Sequence, residues 1–332
     1  MSAIGKFLLG SALLFGMIAG YGYMKKKRLV SEEFQPPSNN IVEIALPDNK
    51  PSPPIMTPAP VKKEVVLSSP APVATSEDLP EADRIAQLFT LDSSKMPFVE
   101  TVSYTSRVPW LKDRPAWIAD YASYYETSRH FIARSLNKKI DYFTQKVSFG
   151  DRFNVFKKDK HIQFYLLIDL SRCRLWFYAL DTDSNERTLL KTYPVGVGRL
   201  DQTKTSGYLT PCGKYRLGEK IAIYKPGTLG FYQDNKIEMV RVFGTRWIPF
   251  DQEIEGCSEP AKGFGLHGTP WVTDASGQFI EDLSKVGIYD SDGCIRLASK
   301  DIEEIFSIVI TKPTTVELVK NFYEAKLPGV ER

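Results

Sequence analysis

A histidine and a cysteine in glycine-containing segments are the residues of this sequence best suited to chemistry. His267 is followed by Gly268 and Thr269, and Cys294 comes 27 positions after His267, directly after Gly293. A cysteine attacks a carbonyl carbon as a thiolate, so it needs a nearby base, which a histidine can supply. The glycine allows a tight turn whose N–H groups can stabilise an oxyanion. The pair predicts acyl transfer with Cys294 as nucleophile and His267 as base.

Each of these signals is weak when taken alone. A buried cysteine is more often inert packing, and a histidine at the end of a strand can be purely structural. The choice of base is narrow, because the sequence has only three histidines, His130, His161 and His267. None of the four cysteines is in a CxxC pair, which argues against a zinc ribbon or a thioredoxin-type site.

Taken together, the segments FGLHGT and SDGCIRL closely resemble the paired motif of the L,D-transpeptidase catalytic domain, the YkuD family. Other segments agree with this resemblance. LLIDLSRCRLWFYA is similar to the opening hairpin of the family, and TYPVGVG and TPCGKY are similar to its next strand and turn. The resemblance covers roughly residues 163 to 320.

The resemblance implies an enzyme that acts on peptidoglycan stem peptides as donor and acceptor. Cys294 would attack the carbonyl of the third residue of a donor stem and expel the terminal D-alanine. His267 would deprotonate the thiol and later the incoming amine, so that the thioester ends as a cross-link. No metal and no organic cofactor is implied.

Further roles follow from the same resemblance. The carbonyl of Gly268 would hold the far ring nitrogen of the histidine, and the N–H groups of Gly293 and Cys294 would belong to the oxyanion hole. Ser291 would support this turn. Arg296 would support the site or bind a substrate carboxylate.

Two features depart from the family pattern. The spacing between histidine and cysteine is longer by about ten residues, so Pro270–Val286 reads as an insertion, either a solvated surface loop or a lid over the substrate groove. Asp292 is the second departure. We expect its carboxylate to point away from the thiol and to hold the turn through backbone N–H groups.

Three other functions stay open. An L,D-carboxypeptidase would release the same thioester to water, and a non-catalytic protein would only bind the cell wall. A cytoplasmic thiol enzyme would follow if the basic run after residue 24 stayed in the cytoplasm. The net charge is +3, but from His161 onward there are 21 basic and 23 acidic residues. We therefore expect no nucleic-acid partner for this part of the chain.

The sequence pattern around the candidate site predicts a mainly β domain. From residue 163 onward, β-branched and aromatic runs alternate with turn-forming residues, which predicts a sandwich or barrel-like sheet over residues 161–320. One helix is expected near the C-terminus, over Ser299–Thr311. Residues 321–332 are predicted to be a C-terminal tail.

The N-terminal part divides into three predicted regions. Residues 7–24 form an apolar run without charges, so residues 1–28 are a signal peptide or a membrane anchor, and the catalytic part would be extracytoplasmic in the periplasm or cell envelope. Residues 29–80 are proline-rich and predicted to be a disordered linker. Residues 81–160 have no assigned role, and the run Ala116–Lys139 predicts an amphipathic helix whose aromatic residues form core packing or a sugar-stacking face.

Overall fold

The computed structural model describes residues 79–137, 147–219 and 221–332. The apolar run at 7–24 and nearly all of the proline-rich segment lie outside these ranges. Among the described residues, no helix is long and apolar enough to cross a membrane.

Strands dominate the described chain, as predicted. They are β1 Val99–Ser103, β2 Arg152–Phe156, β3 Ile162–Asp169, β4 Arg174–Asp181, β5 Glu186–Pro194, β6 Val197–Gly198, β7 Gly213–Leu217, β8 Ala222–Ile223, β9 Leu229–Tyr232, β10 Asn235–Glu238, β11 Arg246–Glu255, β12 Gly265–Gly268, β13 Trp271–Thr273, β14 Phe279–Glu281, β15 Tyr289–Ser291, β16 Ile295–Leu297, β17 Thr314–Val319 and β18 Val330–Glu331. The helices are α1 Ala86–Phe89, α2 Ile118–Tyr124, α3 Arg129–Asn137, α4 Val240–Phe243 and α5 Ser299–Val309.

The main sheet has ten strands and curls into a half-barrel. Its order is β16-β12-β11-β7-β17-β3-β4-β5-β18, and β8 pairs with β11. Strand β11 turns the corner of the sheet, because its first residues pair with β12 and β8 and its later residues pair with β7. Register shifts near Phe250 and Glu253 accompany this change of partner.

Helix α5 is the predicted C-terminal helix, and it packs on the strands that carry the site. Ile302, Ile305 and Phe306 are buried in the main core, together with Leu266 of β12 and Ile295 of β16. The acidic Asp301 lies in the first turn, as favoured by the helix dipole. The helix therefore supports β12 and β16 from the interior.

The run that predicts one helix over Ala116–Lys139 forms two helices instead, α2 and α3. The break has a local cause: Glu126 adopts a positive φ of 45°, and the Ser128 hydroxyl accepts the N–H of Phe131 at 2.9 Å and so caps α3. The N-cap serine begins a second helix, α3, which the apolar spacing alone does not predict. Lys138 and Lys139 lie outside the described residues.

The region 81–160 shares its core with the half-barrel sheet. Phe98, Phe131 and Phe156 are buried in the same cluster as Phe164 of β3. A second, smaller core around Tyr121 and Phe153 includes Tyr125, which directly follows α2. These aromatic residues pack against each other, whereas Trp117 is 67% exposed. His130 is buried at the edge of the Phe306 ring, on α5.

Residues 321–332 continue the sheet. Val330 and Glu331 form β18, which pairs in parallel with the edge strand β5. The ring of Phe322 packs on Trp176 of β4 with ring centroids 4.7 Å apart. The last residues therefore cover one edge of the sheet.

Candidate active site

Two neighbouring parallel strands bring the histidine segment and the cysteine segment together. In the pairing of β12 with β16, His267 stands opposite Arg296, so Cys294 comes directly before the partner strand. The 26 residues between them leave the main sheet and return to it, which explains how distant positions reach one site.

The imidazole of His267 is buried and held by its own strand. Its Nδ1 lies 2.7 Å from the carbonyl oxygen of Gly268, so Nδ1 carries the proton and donates it. The ring packs edge-on against Phe243 with centroids 5.4 Å apart. Burial lowers the pKa of His267 to about 3, while the contact with Gly268 acts in the opposite direction. The ring is therefore neutral at ordinary pH, with a lone pair on Nε2.

The thiol of Cys294 is also neutral at rest. Burial raises its pKa to about 12, although a backbone hydrogen bond from Gly265 and the charge of Arg296 act in the opposite direction. The sulfur donates to the carbonyl oxygen of Gly263 at 3.6 Å. In the described part of the chain, no hydrogen bond joins this sulfur to the imidazole of His267. The pair is thus a neutral thiol and a neutral base.

The turn before Cys294 needs its glycine. Gly293 has a φ of +122°, and a Cβ there would lie 2.5 Å from the Phe264 ring and 2.9 Å from the Leu209 carbonyl oxygen. Its N–H donates to the Ser291 hydroxyl at 3.1 Å, and that hydroxyl donates to the Cys294 carbonyl oxygen at 2.6 Å. Serine 291 therefore closes the turn from both sides.

The turn leaves one of the two predicted oxyanion donors available. The Gly293 N–H is occupied by Ser291, whereas the N–H of Cys294 has no acceptor among the residues that the structure describes. Of the two predicted donors, the amide of Cys294 is therefore the one without a partner among the described residues.

Thr210 is a site residue that the sequence reasoning did not assign. It is fully buried, and its hydroxyl donates to the Gly293 carbonyl oxygen at 2.9 Å and accepts the Gly198 N–H at 2.7 Å. It thus joins the turn to β6. The signal was present, because Thr210 opens the TPCGKY segment, but nothing in that segment indicates which strand its hydroxyl meets.

Arg296 points toward an acidic partner. Its Nη1 donates to Asp290 at 2.9 Å, and Lys285 donates to the same carboxylate at 3.0 Å. Burial raises the pKa of Asp290, but the hydrogen bonds and charges of Lys285 and Arg296 outweigh it, so the pKa is lowered. The guanidinium is thus held beside the thiol by Asp290, and its charge favours the thiolate.

Asp292 points outward. Its side chain is 67% exposed and is paired with the guanidinium of Arg199. The expected role of holding the turn through backbone N–H groups belongs to Ser291, because the hydroxyl is buried inside the turn while the carboxylate is in solvent.

An aromatic cluster covers the site. It consists of Tyr224, Met239, Val240, Phe243 and Trp247, and Cys294 packs against it. Two hairpins add inward-facing rings: β9–β10 contributes Tyr232, and β13–β14 contributes Trp271 and Phe279. The sequence signal for both hairpins is the content of aromatic and β-branched residues in LGFY, WVT and FIE.

The insertion Pro270–Val286 contains the hairpin β13–β14 and is fastened to the site. Glu281 accepts hydrogen bonds from the hydroxyl of Thr269 and, at 2.5 Å, from the N–H of Ser299 at the start of α5. The insertion therefore combines a packed inner face with an exposed outer face, on which Val272 and Ile280 lie. Among the described residues, no group of three His, Cys, Asp or Glu side chains could hold a metal ion.

The solved structures that are similar to this chain include two proteins from different bacteria. The helical cell shape determining protein Pgp2 from Campylobacter jejuni is 18% identical with a TM-score of 0.33, and 51% of this chain and 50% of that chain are covered. Bd1075 from Bdellovibrio bacteriovorus is 16% identical with a TM-score of 0.32, and 48% of each chain is covered. The chain spans about half the length of these structures. Comparison with curated protein sequences gives no match.

The family comparison agrees with the segments that carry His267 and Cys294. The family model described as the L,D-transpeptidase catalytic domain, YkuD, matches residues 163–318. This range includes β3 to β17 nearly in full, with both site strands and helix α5. Residues 163–318 of this chain therefore belong to the L,D-transpeptidase catalytic domain family.

Proposed function

We propose that this protein is a peptidoglycan L,D-transpeptidase that forms cross-links through a thioester on Cys294. The observation that carries the proposal is the placement of a neutral imidazole, with Nδ1 bonded to Gly268, on the strand next to the cysteine. This tautomer leaves Nε2 as the only basic atom of the ring, which is what proton transfer from a thiol requires.

Acylation would begin from the neutral pair. The sulfur of Cys294 attacks the carbonyl carbon of the third stem residue while Nε2 of His267 takes the thiol proton. The C–S bond forms, the C–N bond to the terminal D-alanine breaks, and the departing nitrogen takes the proton from His267. The Cys294 N–H stabilises the oxyanion, and the N–H of Gly265 together with the charge of Arg296 stabilises the developing thiolate.

Transfer to the acceptor reverses these proton movements. An amine of a second stem attacks the thioester carbonyl, the C–S bond breaks, and the proton from the amine passes through His267 to the sulfur. Cys294 packs against the aromatic cluster, and apolar side chains beside the thioester would favour an amine over water.

The substrate places the proposed reaction outside the cytoplasm, in the periplasm or cell envelope. The apolar run at residues 7–24 would serve as signal peptide or anchor, with the proline-rich segment 29–80 as the spacer. A reporter fused to the C-terminus, active only outside the membrane, tests this location. Activity of a cytoplasm-specific reporter instead would contradict it.

The decisive experiment is incubation of the purified protein with tetrapeptide-stem muropeptides, with products identified by mass. A cross-linked dimer supports the proposal, and a trimmed tripeptide stem would assign a carboxypeptidase instead. Binding without any product would assign a wall-binding protein. Cys294→Ala is the negative control, and Cys212→Ala is the matched control, because Cys212 is also a partly buried cysteine but lies outside the site.

A further inference from the structure

A small charged pocket lies where helix α3 of region 81–160 meets helix α5 and strand β5. Its volume is about 300 Å³, and it is lined by three cations and three anions: Arg134, Lys191, Lys300, Asp301, Glu303 and Glu304. None of these residues belongs to the candidate active site. A pocket of this size is at the lower limit of ligand-binding cavities, so it suits a small molecule.

Half of the lining charges already have partners of opposite charge. Nζ of Lys191 donates to Oε1 of Glu304 at 2.7 Å, and the hydroxyl of Tyr193 donates to the same oxygen at 2.8 Å. Glu303 is paired with the guanidinium of Arg246, on β11, at 3.5 Å. These contacts compensate the cost of taking three of the charges out of water.

The guanidinium of Arg134 has no such partner. Within the part of the chain that the structure describes, it makes no hydrogen bond and no ion pair, and its Nε is buried and unsatisfied. It lies 5.8 Å from the centre of the Phe89 ring. Burial lowers the pKa of Arg134, and the charges of Glu304 and Glu303 act in the opposite direction. A guanidinium that lines a pocket without an acceptor is a binding group for an anion.

The carboxylate of Asp301 is also without a partner. The residue is only 7% exposed, yet neither of its carboxylate oxygens accepts a hydrogen bond from the described residues, and it does not cap its own helix. Burial raises the pKa of Asp301, and the charges of Lys191 and Lys300 oppose this rise. A nearly buried carboxylate costs free energy unless a donor reaches it, and the pocket is the space from which a donor can come.

The two unpartnered groups occupy different parts of the pocket. Among the described residues, no ion pair joins Arg134 to Asp301. Glu304 follows Asp301 by one helical turn, and besides burial its charge affects the pKa of both groups. Glu304 itself is held by Lys191 and Tyr193. A ligand can therefore meet the guanidinium with one end and the carboxylate with the other.

We propose that this pocket binds a small zwitterion of the amino-acid class. The guanidinium of Arg134 binds the carboxylate of the ligand, with Lys300 on the exposed side, and the carboxylate of Asp301 binds its ammonium group. A simple anion or a simple amine would leave one of the two protein groups unsatisfied. The pocket shares no residue with the candidate active site, so this inference does not rest on the proposed function.

The test uses three molecules that share one ethyl frame. Alanine carries both charges, propionate lacks the ammonium group, and ethylamine lacks the carboxylate. Calorimetric titration of the purified protein should give a Kd for alanine that is lower than for propionate or ethylamine by about tenfold or more, because each charge-assisted contact adds to the affinity. Similar affinities for all three molecules, or no saturable binding of alanine, would overturn the site.

Variants assign the two ends of the ligand. Arg134→Gln should weaken the binding of alanine to about the level of ethylamine, and Asp301→Asn should weaken it to about the level of propionate. Arg134→Lys keeps the charge and should retain part of the affinity. Arg114→Gln is the matched control, because it removes an exposed arginine of the same region from its pair with Asp120 and should bind alanine as wild type does. Unchanged binding in Arg134→Gln and Asp301→Asn would refute the assignment.

Thermal unfolding separates a binding role of Arg134 from a structural one. A charge without a partner costs free energy in the folded protein, so Arg134→Gln should unfold at the same temperature as wild type or at a higher one. Excess alanine should raise the unfolding temperature of wild type and not that of the variant. A less stable variant that alanine stabilises as much as wild type would assign Arg134 to packing. If Arg134→Gln does not fold, the comparison of alanine with propionate in Asp301→Asn decides alone.

Discussion

The hydroxyl of Ser291 donates a hydrogen bond of 2.6 Å to the carbonyl oxygen of Cys294, three residues further along the chain. The same hydroxyl oxygen accepts the N–H of Gly293, so one buried side chain satisfies two backbone groups of the turn. The N–H of Cys294 is left without an acceptor among the described residues, as the proposed oxyanion role requires. Ser291 is thus a positioning residue for the proposed oxyanion site.

Ser291→Ala should weaken both the turn and the chemistry. Loss of the hydroxyl leaves two backbone groups unsatisfied, which costs about 1–3 kcal/mol of stability. If the activation free energy of acylation rises by about 1.4 kcal/mol as a result, acylation slows about tenfold. Urea unfolding measures the stability, and mass spectrometry of acylation by a carbapenem measures the rate. Ser291→Thr keeps the hydroxyl and should retain more activity than the alanine variant, and equal rates in both variants would contradict this role.

The sequence predicted the chemical pair and not the details of its support. His267 and Cys294 were identified through a joint motif, and the sheet and the helix near the C-terminus followed from strand and helix periodicity. The assignment of the turn to Asp292 was wrong, because residue type alone does not show which of two neighbours, Ser291 or Asp292, faces inward. The role of the Thr210 hydroxyl was missed because its partners lie in two other segments, β6 and the turn before Cys294, the second of them 83 residues away in sequence.

The spacing of apolar residues also did not predict two other features, the break between α2 and α3 and the hairpin in the insertion. The apolar spacing continues through the break between the helices. The N-cap at Ser128 starts α3 as a separate helix. In the insertion, Trp271–Thr273 and Phe279–Glu281 are strands of only three residues each, and the inner face of their hairpin is defined by α4 and the aromatic cluster. Tertiary contacts therefore decided both features.

The neutral state of His267 predicts a specific dependence of stability on pH. Its pKa is about 3 in the folded protein and about 6.5 in an unfolded chain. Between these values the unfolded chain binds more protons, so the free energy of unfolding rises with pH, by up to about 1.4 kcal/mol per pH unit. This contribution is complete above about pH 6.5 and is lost as the pH falls toward 3.

Chemical denaturation of wild type and His267→Gln at several pH values checks this dependence. The variant should show a shallower rise in stability between about pH 3 and 6.5. His161→Gln is the matched control, because it removes an exposed histidine and leaves the contribution of His267 in place. Parallel curves for wild type and His267→Gln would show that the ring is not buried as a neutral group.

The raised pKa of Cys294 predicts that this thiol reacts slowly with iodoacetamide and selectively with a carbapenem. At pH 7.5 a thiol with a pKa of about 12 is almost entirely protonated, so iodoacetamide should alkylate Cys294 slowly. A carbapenem should acylate it selectively, because His267 can remove the proton during attack. Peptide mapping by mass locates both labels, and Cys294→Ala should lose the carbapenem adduct.

The role of the base in this contrast is tested by His267→Gln. Acylation by the carbapenem should fall by about 10²–10⁴-fold, the usual contribution of a general base. Iodoacetamide alkylation of Cys294 should change much less, since it does not use the base. Rapid alkylation at neutral pH in wild type would mean that the thiolate is present at rest.

Glu281 links the insertion to both the histidine strand and helix α5. Glu281→Ala removes the acceptor of the Ser299 N–H at the helix N-terminus and of the Thr269 hydroxyl, and should cost about 1–2 kcal/mol of stability. Glu281→Gln keeps an acceptor oxygen and should lose less. Thermal unfolding gives the order of the three proteins, and an alanine variant as stable as wild type would exclude the link.

Shortening the tip of the β13–β14 hairpin tests the lid hypothesis separately. Removal of residues 275–277 leaves Glu281, Trp271 and Phe279 in place. A lid should then show slower turnover of large peptidoglycan fragments, with a smaller change in acylation by a carbapenem. Equal changes in both rates would favour an ordinary packed hairpin. Fragment turnover and adduct formation are both followed by mass.

The part of the chain that matches the family is smaller than the part that folds as one unit, because region 81–160 and the half-barrel share a core. The family match begins at residue 163, yet Phe131 and Phe156 complete the interior around Phe164 and α5. A chain that starts at residue 161 would expose this interior, and one that stops at residue 318 would uncover the edge strand β5. An exchange of residues 163–318 between proteins must therefore include the residues on both sides of this segment.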